Sequence, residues 1–268
     1  MKGPKKKFKQ IAKKLYLNLA QAYYSVAGNK VECNVCHFKA NKFRSGIWHL
    51  YSLCPKCGSQ VRQRLLMASL TYLDDFNFNK IFKDKNVLHF APEKSFGELI
   101  QKAAKTYKTA DFFGEGYSED SYDKIDYNLD ISDMKEIKNE SFDCVIACDV
   151  LEHVPAHING IKEVYRVLNK GGYCILTVPQ KDHLAVTFED PSITDPKERE
   201  KTYGQFNHLR IYGDDFVDML KDNGFEVTAV NETFFDKKIV EKYVLFPPVL
   251  SKHPLATNYR KVFFGKKI

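Results

Sequence analysis

Four cysteines carry the strongest chemical signal in this sequence. Cys33-x-x-Cys36 and Cys54-x-x-Cys57 are separated by 17 residues, a spacing that suits a four-thiolate zinc site. Two intervening residues let one tight turn aim both sulfurs at a single ion, and Gly58 permits the open backbone such turns often need. Four thiolates close a tetrahedron, so the expected zinc is structural; a catalytic zinc keeps a position open. His37 and His49 are alternative ligands, and a redox pair or chance placement is the competing explanation. A segment this small buries too little apolar surface to fold alone, so the metal would supply folding free energy on the order of 10 kcal/mol. Arg62 and Arg64, together with Lys56, either hold a phosphate or carboxylate or are solvated side chains on a connecting helix.

A second group of residues sits at the ends of expected strands. Asn86–Phe90 runs into Ala91-Pro92-Glu93, followed by Ser95 and Gly97 at the head of a helix. This is a strand–turn–helix where an open α/β sheet binds its ligand. The turn lacks both G-x-G-x-x-G and G-K-[ST], so a dinucleotide or ATP finds no phosphate cradle; a nucleoside cofactor without phosphate needs neither. Asp111 ends the next strand, where its two oxygens can accept both hydroxyls of a ribose. Asp130-Ile131 follows the one after, where a carboxylate and a backbone N–H can read an adenine edge. One aspartate at a strand end means little, because aspartate is common in turns; the succession is informative.

Asp149 closes a further strand and leads to Glu152 and His153. On a helix these three share one face and can bind a divalent cation, which would lower the pKa of a bound hydroxyl. The alternative is that Glu152 and His153 only order the loop. His208 lies in a polar loop before a helix, as a general base or as a loop-stabilising hydrogen-bond partner, and Arg210 is a candidate partner for a substrate anion. Asp149, His153 and His208 are therefore the candidate catalytic residues. Cys144, Cys148 and Cys174 fall in buried-strand patterns and read as small core residues.

The elements that must position these residues alternate short apolar runs with amphipathic stretches, the pattern of a parallel sheet covered by helices. Strands are expected at Asn86–Phe90, Lys108–Phe112, Cys144–Cys148, Tyr173–Val178, Glu226–Val230 and Lys261–Phe264. Helices are expected at Ser95–Lys105, Ile158–Leu168 and Asp214–Asp222, the second ended by Gly171-Gly172 and the third by Asn223-Gly224. The expected organisation is a basic helical tail (1–30), a zinc-ribbon-like module (31–65), and an α/β domain (66–268) with a doubly wound, mostly parallel sheet.

Composition is that of an ordinary globular protein, 44% hydrophobic and 28% charged. No apolar run reaches the roughly 20 residues that span a bilayer, and no apolar core follows the basic N-terminus as in a secretory signal. A cytoplasmic setting is expected, where cysteines are thiols or metal ligands. Residues 1–30 hold eight lysines and no Arg, Asp or Glu, so of the net charge of +7 the remainder carries about −1. A broad nucleic-acid footprint on the main domain is disfavoured. Within 5–25, Phe8, Ile11, Leu15, Leu19 and Tyr23 define one helical face. Such a basic amphipathic helix can dock on its own protein, lie on an anionic membrane surface, or grip RNA.

The stretch Ser141–Val154, with Ala147-Cys148-Asp149-Val150-Leu151-Glu152-His153, resembles the fourth-strand motif of class I S-adenosylmethionine-dependent methyltransferases. Tyr165–Tyr173, running into Leu176-Thr177-Val178-Pro179, is similar to that family's helix, Gly-Gly turn and fifth strand. The resemblance covers about 85–265. It implies a Rossmann-like fold with a seven-stranded sheet, and S-adenosylmethionine held by Ala91, Pro92, Glu93, Gly97, Asp111, Asp130, Ile131 and Asp149. Most members carry an acidic residue and two glycines where this chain has His89, Ala91 and Glu93; Glu93 would then take the cofactor's ammonium. Asp149-x-x-Glu152-His153 also resembles the metal triad of ubiquinone-biosynthesis O-methyltransferases and of small-RNA 2′-O-methyltransferases. A narrower likeness, on Cys54-Pro55-Lys56-Cys57-Gly58-Ser59, Arg62-Gln63-Arg64, Leu88–Glu93 and His208–Gly213, is to a bacterial subgroup with a front zinc module. Some of that subgroup are associated with surface-glycan biosynthesis. The resemblance implies O- or N-methylation of a small-molecule or glycan-linked substrate, with RNA as second choice and a non-catalytic binding protein as third.

Overall fold

The computed structural model describes residues 19, 23, 28–46, 49–113 and 125–268. Most of the expected basic helix over 5–25 lies outside the described residues. Leu19 and Tyr23, two members of its apolar face, are helical and exposed. Among the described residues no helix is long and apolar enough to cross a membrane. The chain forms two compact units: Met1–Ala68 with Glu232–Lys252, and Ser69–Asn231 with His253–Ile268. Glu232–Lys252 is a segment that a division at residue 65 leaves with the larger domain.

The first unit contains a two-stranded antiparallel ladder, β1 (Val31–Glu32) with β2 (Lys39–Ala40), the start of helix Val61–Tyr72 and the helix Lys237–Tyr243. Its apolar centre is small: Cys33, Ala40, Phe43, Cys54 and Val244 are buried, with Val31, Val35 and Phe38 packed against them. Arg64 binds this unit together. Its fully buried guanidinium donates to the carbonyls of Tyr243 (2.8 Å), Val244 (3.0 Å), Ser59 (2.6 Å) and Ser52 (2.6 Å). It also lies 4.7 Å from the centre of the Phe43 ring. Val244 has φ +51°, a strained conformation for a β-branched residue, and its carbonyl is held by Arg64. Burial lowers the Arg64 pKa to about 10. Arg64 thus ties main chain together and does not present itself to an anion.

The second unit is built on a seven-stranded sheet. Its strands are β3 (Asn86–Phe90), β4 (Thr106–Asp111), β5 (Tyr127–Asn128), β6 (Phe142–Cys148), β7 (Leu168–Thr177), β10 (Phe225–Val230) and β11 (Val262–Lys267); the short pair β8 (Phe188–Glu189) and β9 (Arg210–Ile211) forms a separate ladder. The order is β10-β11-β7-β6-β3-β4-β5. Strands β3 to β7 pair in parallel, and β11 runs antiparallel to both neighbours. This is the doubly wound, mostly parallel, Rossmann-like sheet expected. The central strands are apolar over most of their length because helices cover both faces of such a sheet: Val87, Leu88, Val145, Ile146, Ala147, Ile175 and Leu176 have no exposed surface. Cys144, Cys148 and Cys174 are buried among them.

The chain goes from β3 out to β4 and β5, then returns to lay β6 on the other side of β3. The gap between β3 and β6 is the switch point at which such sheets bind ligands. Helix Lys94–Ala103 follows β3 and helix His157–Val167 follows β6. The latter ends before Gly171-Gly172, which belong to β7 and not to a helix cap. The β6–β7 register jumps from Phe142↔Leu168 to Cys144↔Tyr173, so the glycines form a bulge. Gly171 has φ +74°, and a Cβ on Gly172 would meet the Asp143 carbonyl at 2.9 Å. Gly224, at φ +94°, does follow helix Phe216–Asp222 as expected.

Candidate functional site

The carboxyl edge of the parallel strands collects the predicted site residues of the second unit. Ala91 follows β3 and Asp149 follows β6, and both are left-handed, with φ +46° and +54°. Such conformations cost a non-glycine residue roughly 1–2 kcal/mol and cluster where main chain is held for a purpose. Ala91 N–H donates to the Ala110 carbonyl (2.9 Å) and Asp149 N–H to that of Thr177 (2.9 Å), which fixes each turn against the neighbouring strand. Ala91 therefore keeps a glycine-like backbone although it carries a methyl group. Pro92 and Glu93 are half-buried, and the Glu93 carbonyl opens helix Lys94–Ala103 by accepting from Phe96 and Gly97 N–H.

Gly97 has a packing reason to be glycine: a Cβ there would lie 2.6 Å from the Tyr107 hydroxyl. That hydroxyl bonds His89 Nδ1 at 2.9 Å, and burial lowers His89 to about 3. His89 is thus a neutral, buried partner of Tyr107.

Asp111 ends β4, and its Oδ1 accepts the Phe112 N–H (2.8 Å). Asp130 follows β5, the strand paired with β4 through Ala110↔Tyr127 and Asp111↔Asn128. Its Oδ1 accepts from Ser132 N–H (2.7 Å) and Oγ (2.8 Å), and buried Ile131 anchors the turn. Asp111 and Asp130 therefore stand at adjacent strand ends on one edge of the sheet.

Asp149 is more constrained than the sequence reveals. Its Oδ1 accepts from Thr177 Oγ1 (2.8 Å) and from Arg260 Nη2 (2.5 Å). Arg260 was not among the expected site residues. The missing information is strand direction: β11 runs opposite to its neighbours, so the residues just before it arrive at the carboxyl edge.

His153 and His208 come together, with ring centres 4.8 Å apart and planes 73° apart. His153 Nδ1 lies 3.2 Å from the Asn207 carbonyl and His208 Nδ1 3.3 Å from that of Tyr203. Leu209 N–H donates to the Glu152 carbonyl (2.9 Å), so the segment 207–209 is strapped to 152–153. Burial lowers His153, opposed by its hydrogen bond to the Asn207 carbonyl and by the negative charges of Asp149 and Asp111. Burial, assisted by His153, lowers His208 to about 4.

Arg210 is not free to meet a substrate anion. It is fully buried, donates to the carbonyls of Leu151 (2.9 Å), Val154 (2.6 Å) and Pro155 (3.1 Å), and pairs with Glu189 (2.8 and 3.0 Å). It fixes the loop that carries Glu152 and His153.

In the first unit Cys33, Cys36, Cys54 and Cys57 bring their sulfurs within 4.8 Å of one another. Cys33–Cys57 and Cys36–Cys54 are both 3.7 Å apart. This is far beyond a disulfide bond of about 2.05 Å and close to the edge, about 3.8 Å, of a tetrahedron with 2.3 Å zinc–sulfur bonds. The two knuckles are built alike. The Cys33 carbonyl accepts His37 N–H (2.7 Å) and the Cys54 carbonyl accepts Gly58 N–H (3.0 Å), with His37 and Gly58 both left-handed at φ +57° and +76°. His37 therefore fills the role of a glycine; its ring is exposed and faces Glu32 at 3.6 Å, away from the sulfurs. Hydrogen bonds from Cys36 and Cys54 hold the Cys33 thiol well below the ordinary range, while the bond to Cys33 pushes Cys54 well above it.

A sheet of this order, with carboxylates on successive strand ends, is the Rossmann-like arrangement that the sequence leads one to expect. A family model described as "Methyltransferase domain" matches residues 62–230. The chain belongs to that family and is an S-adenosylmethionine-dependent methyltransferase. No curated protein matches it. Among solved structures it is similar to an S-adenosylmethionine-dependent methyltransferase from Archaeoglobus fulgidus (15% identity, 78% of this chain and 95% of that one, TM-score 0.48). It is also similar to one from Mesorhizobium loti (11%, 74% and 100%, TM-score 0.48). A third is Burkholderia thailandensis 1,6-didemethyltoxoflavin-N1-methyltransferase, solved with S-adenosylhomocysteine (11%, 77% and 78%, TM-score 0.46).

Proposed function

We propose that this enzyme methylates oxygen or nitrogen of a small-molecule or glycan-linked acceptor at the carboxyl edge of its sheet. The observation that carries this reading is the pair of left-handed residues, Ala91 and Asp149, flanking the switch point, with Asp111 and Asp130 on the next two strand ends. In this reading the turn Ala91–Glu93 and the helix start at Gly97 face the methionine end of the cofactor, with Glu93 on its ammonium. Asp111 takes the ribose hydroxyls, while Asp130 and the Ile131 N–H take the adenine. Asp149, immobilised by Thr177 and Arg260, lies toward the methyl group. The sulfonium is already activated, so the protein's task is alignment of an in-line displacement and removal of the acceptor's proton. His153 and His208 stand on the acceptor side.

The cysteine cluster fits a structural zinc, which would hold the two knuckles of the first unit together; the 3.7 Å sulfur separations support this assignment. RNA is the second acceptor class, favoured by the eight lysines of residues 1–30. The same segment, with Leu19 and Tyr23 exposed, suits peripheral contact with an anionic membrane from a cytoplasmic position.

Incubation of the enzyme and methyl-labelled cofactor with a cell extract, fractionated into lipid, glycan, RNA and protein, tests the acceptor class. Label in the small-molecule or glycan fraction is expected; label confined to RNA, lost at high salt, would transfer the assignment to the second class. Metal analysis of the purified chain is expected to find about one zinc per molecule, and a zinc-free folded protein would remove the structural assignment.

A further inference from the structure

We propose that Glu152, His153 and His208 form a site for one divalent transition-metal ion, whose open positions take the hydroxyl oxygen of the acceptor. One ligand atom from each of the three residues lies within 4.8 Å of the others. This grouping differs from the sequence triad, which placed Asp149 beside Glu152 and His153; Asp149 is instead held by Arg260 and Thr177.

The tautomers follow from the hydrogen bonds. A carbonyl only accepts, so the ring nitrogens facing Asn207 O and Tyr203 O, both Nδ1, carry the hydrogens. Each ring then keeps its lone pair on Nε2. Anchoring one imidazole nitrogen to a carbonyl so that the other can ligate is the usual outer arrangement around metal-bound histidines. Glu152, 1% exposed, adds a carboxylate in a poorly solvated position, where a cation gains most from it. The two nearby guanidinium groups are each matched by a carboxylate of their own, Arg210 by Glu189 and Arg260 by Asp149, so neither sets the sign at the cluster.

The frame is rigid. Arg210 clamps the loop 151–155 through three carbonyls, and Leu209 N–H binds the Glu152 carbonyl. Two imidazole nitrogens and one carboxylate oxygen suit Mn²⁺, Fe²⁺, Co²⁺ or Zn²⁺, and three protein ligands leave positions for water or substrate.

The inference rests on the methyltransferase reading and narrows it to hydroxylated acceptors. When the acceptor oxygen coordinates, its proton is lost to solvent. The resulting alkoxide or phenolate attacks the methyl carbon. An O–C bond forms, the C–S bond breaks with its electron pair going to sulfur, and the products are a methyl ether, S-adenosylhomocysteine and one proton.

The test titrates the full chain, its cysteine-bound metal left in place, with Mn²⁺ followed by the electron spin resonance of the free ion. S-adenosylhomocysteine binding is measured on the same samples. One Mn²⁺ site per chain is expected, weakened about 10-fold or more in His208→Ala and in the isosteric Glu152→Gln, with S-adenosylhomocysteine binding retained as proof of folding. No Mn²⁺ uptake by the parent chain, or equal uptake by both folded variants, overturns the metal site. Mn²⁺ uptake without S-adenosylhomocysteine binding leaves the site standing and overturns instead the function on which its chemistry rests.

Discussion

In the first unit, Cys33 and Cys57 meet across 24 positions of chain, joined by two knuckles that each close on their own main chain. In the second, His153 meets Asn207 across 54 positions, and Glu152, His153 and His208 converge only because a complete sheet lies beneath them. Both clusters can hold a metal ion, but for different physical reasons. The apolar cluster packed around the cysteines holds, among the described residues, five buried side chains, two of them cysteines, so an ion there would contribute to folding itself. The second unit has a core of strand and helix side chains that is complete without any ion, so a metal at its edge can only do chemistry. Each unit also has a buried arginine that gathers carbonyls, Arg64 in one and Arg210 in the other. What each arginine holds in place, the fold or the loop of a site, follows the same division.

The contrast is most sharply tested by removing the zinc proposed for the four cysteines. Chelation, or Cys54→Ser, is expected to cost the first unit folding free energy on the order of 10 kcal/mol. Amide hydrogen exchange is expected to show loss of protection across residues 31–59 while the strands β3 to β7 keep theirs. Unchanged protection at 31–59 would mean that the front unit folds on its own core.

Arg210→Ala comes next. Glu189 is exposed, so the cost lies in the Leu151, Val154 and Pro155 carbonyls that lose their buried donor, about 1–3 kcal/mol for each group left unsatisfied, concentrated on the loop 151–155. Methyl transfer is expected to collapse while cofactor binding, measured by calorimetry, changes little. A parallel loss of both would place Arg210 among the supports of the whole unit.

Asp111→Ala is expected to weaken cofactor binding by about 1.5–3 kcal/mol, the range for hydrogen bonds to a charged group, with thermal stability unaltered. Undiminished affinity would move the ribose away from β4.

Ala91→Gly relieves the left-handed penalty of roughly 1–2 kcal/mol but loosens the unfolded chain by about 0.4–1 kcal/mol. A net gain of about 0.5–1 kcal/mol in urea unfolding is expected; a net loss would show that the methyl group packs usefully.

The smallest effect is an acid one. Arg166 and the Met134 N–H bind the Glu163 carboxylate, and Arg166 foremost lowers its pKa. The depressed value means that the stability it contributes is present above the ordinary carboxylate range and fades as pH falls through the lowered pKa. Glu163→Gln should make acid unfolding slightly less steep, by less than about 1 kcal/mol for so partly exposed a pair.

Much of this molecule is legible in its residue pattern. The β-branched and apolar runs at 86–90, 144–148 and 173–178 locate the central strands because buried parallel strands must be apolar on both faces. The cysteine spacing identifies its cluster because both knuckles are local turns. Other elements leave weaker traces. Helix Pro196–Tyr203 carries almost no apolar periodicity and is marked only at its ends, by Asp195 capping Lys197 and Glu198 N–H, Pro196 in the first turn and left-handed Gly204 after the last. The strand β5 has two residues, too few for any pattern. Gly171-Gly172 reads as a helix stop because a bulge and a cap ask for the same residue.

The sequence by itself determined the class of fold, the order of its central strands along the chain, the clustering of the four cysteines and the succession of aspartates at strand ends, since each depends on neighbours a few residues apart. Only the tertiary structure decided that Arg64 and Arg210 are internal ties, that Arg260 holds Asp149, and that His208 joins Glu152 and His153. Those choices depend on which way β11 runs and where the 207–210 segment is strapped. Such facts arise from packing between distant segments, and no local spacing encodes them.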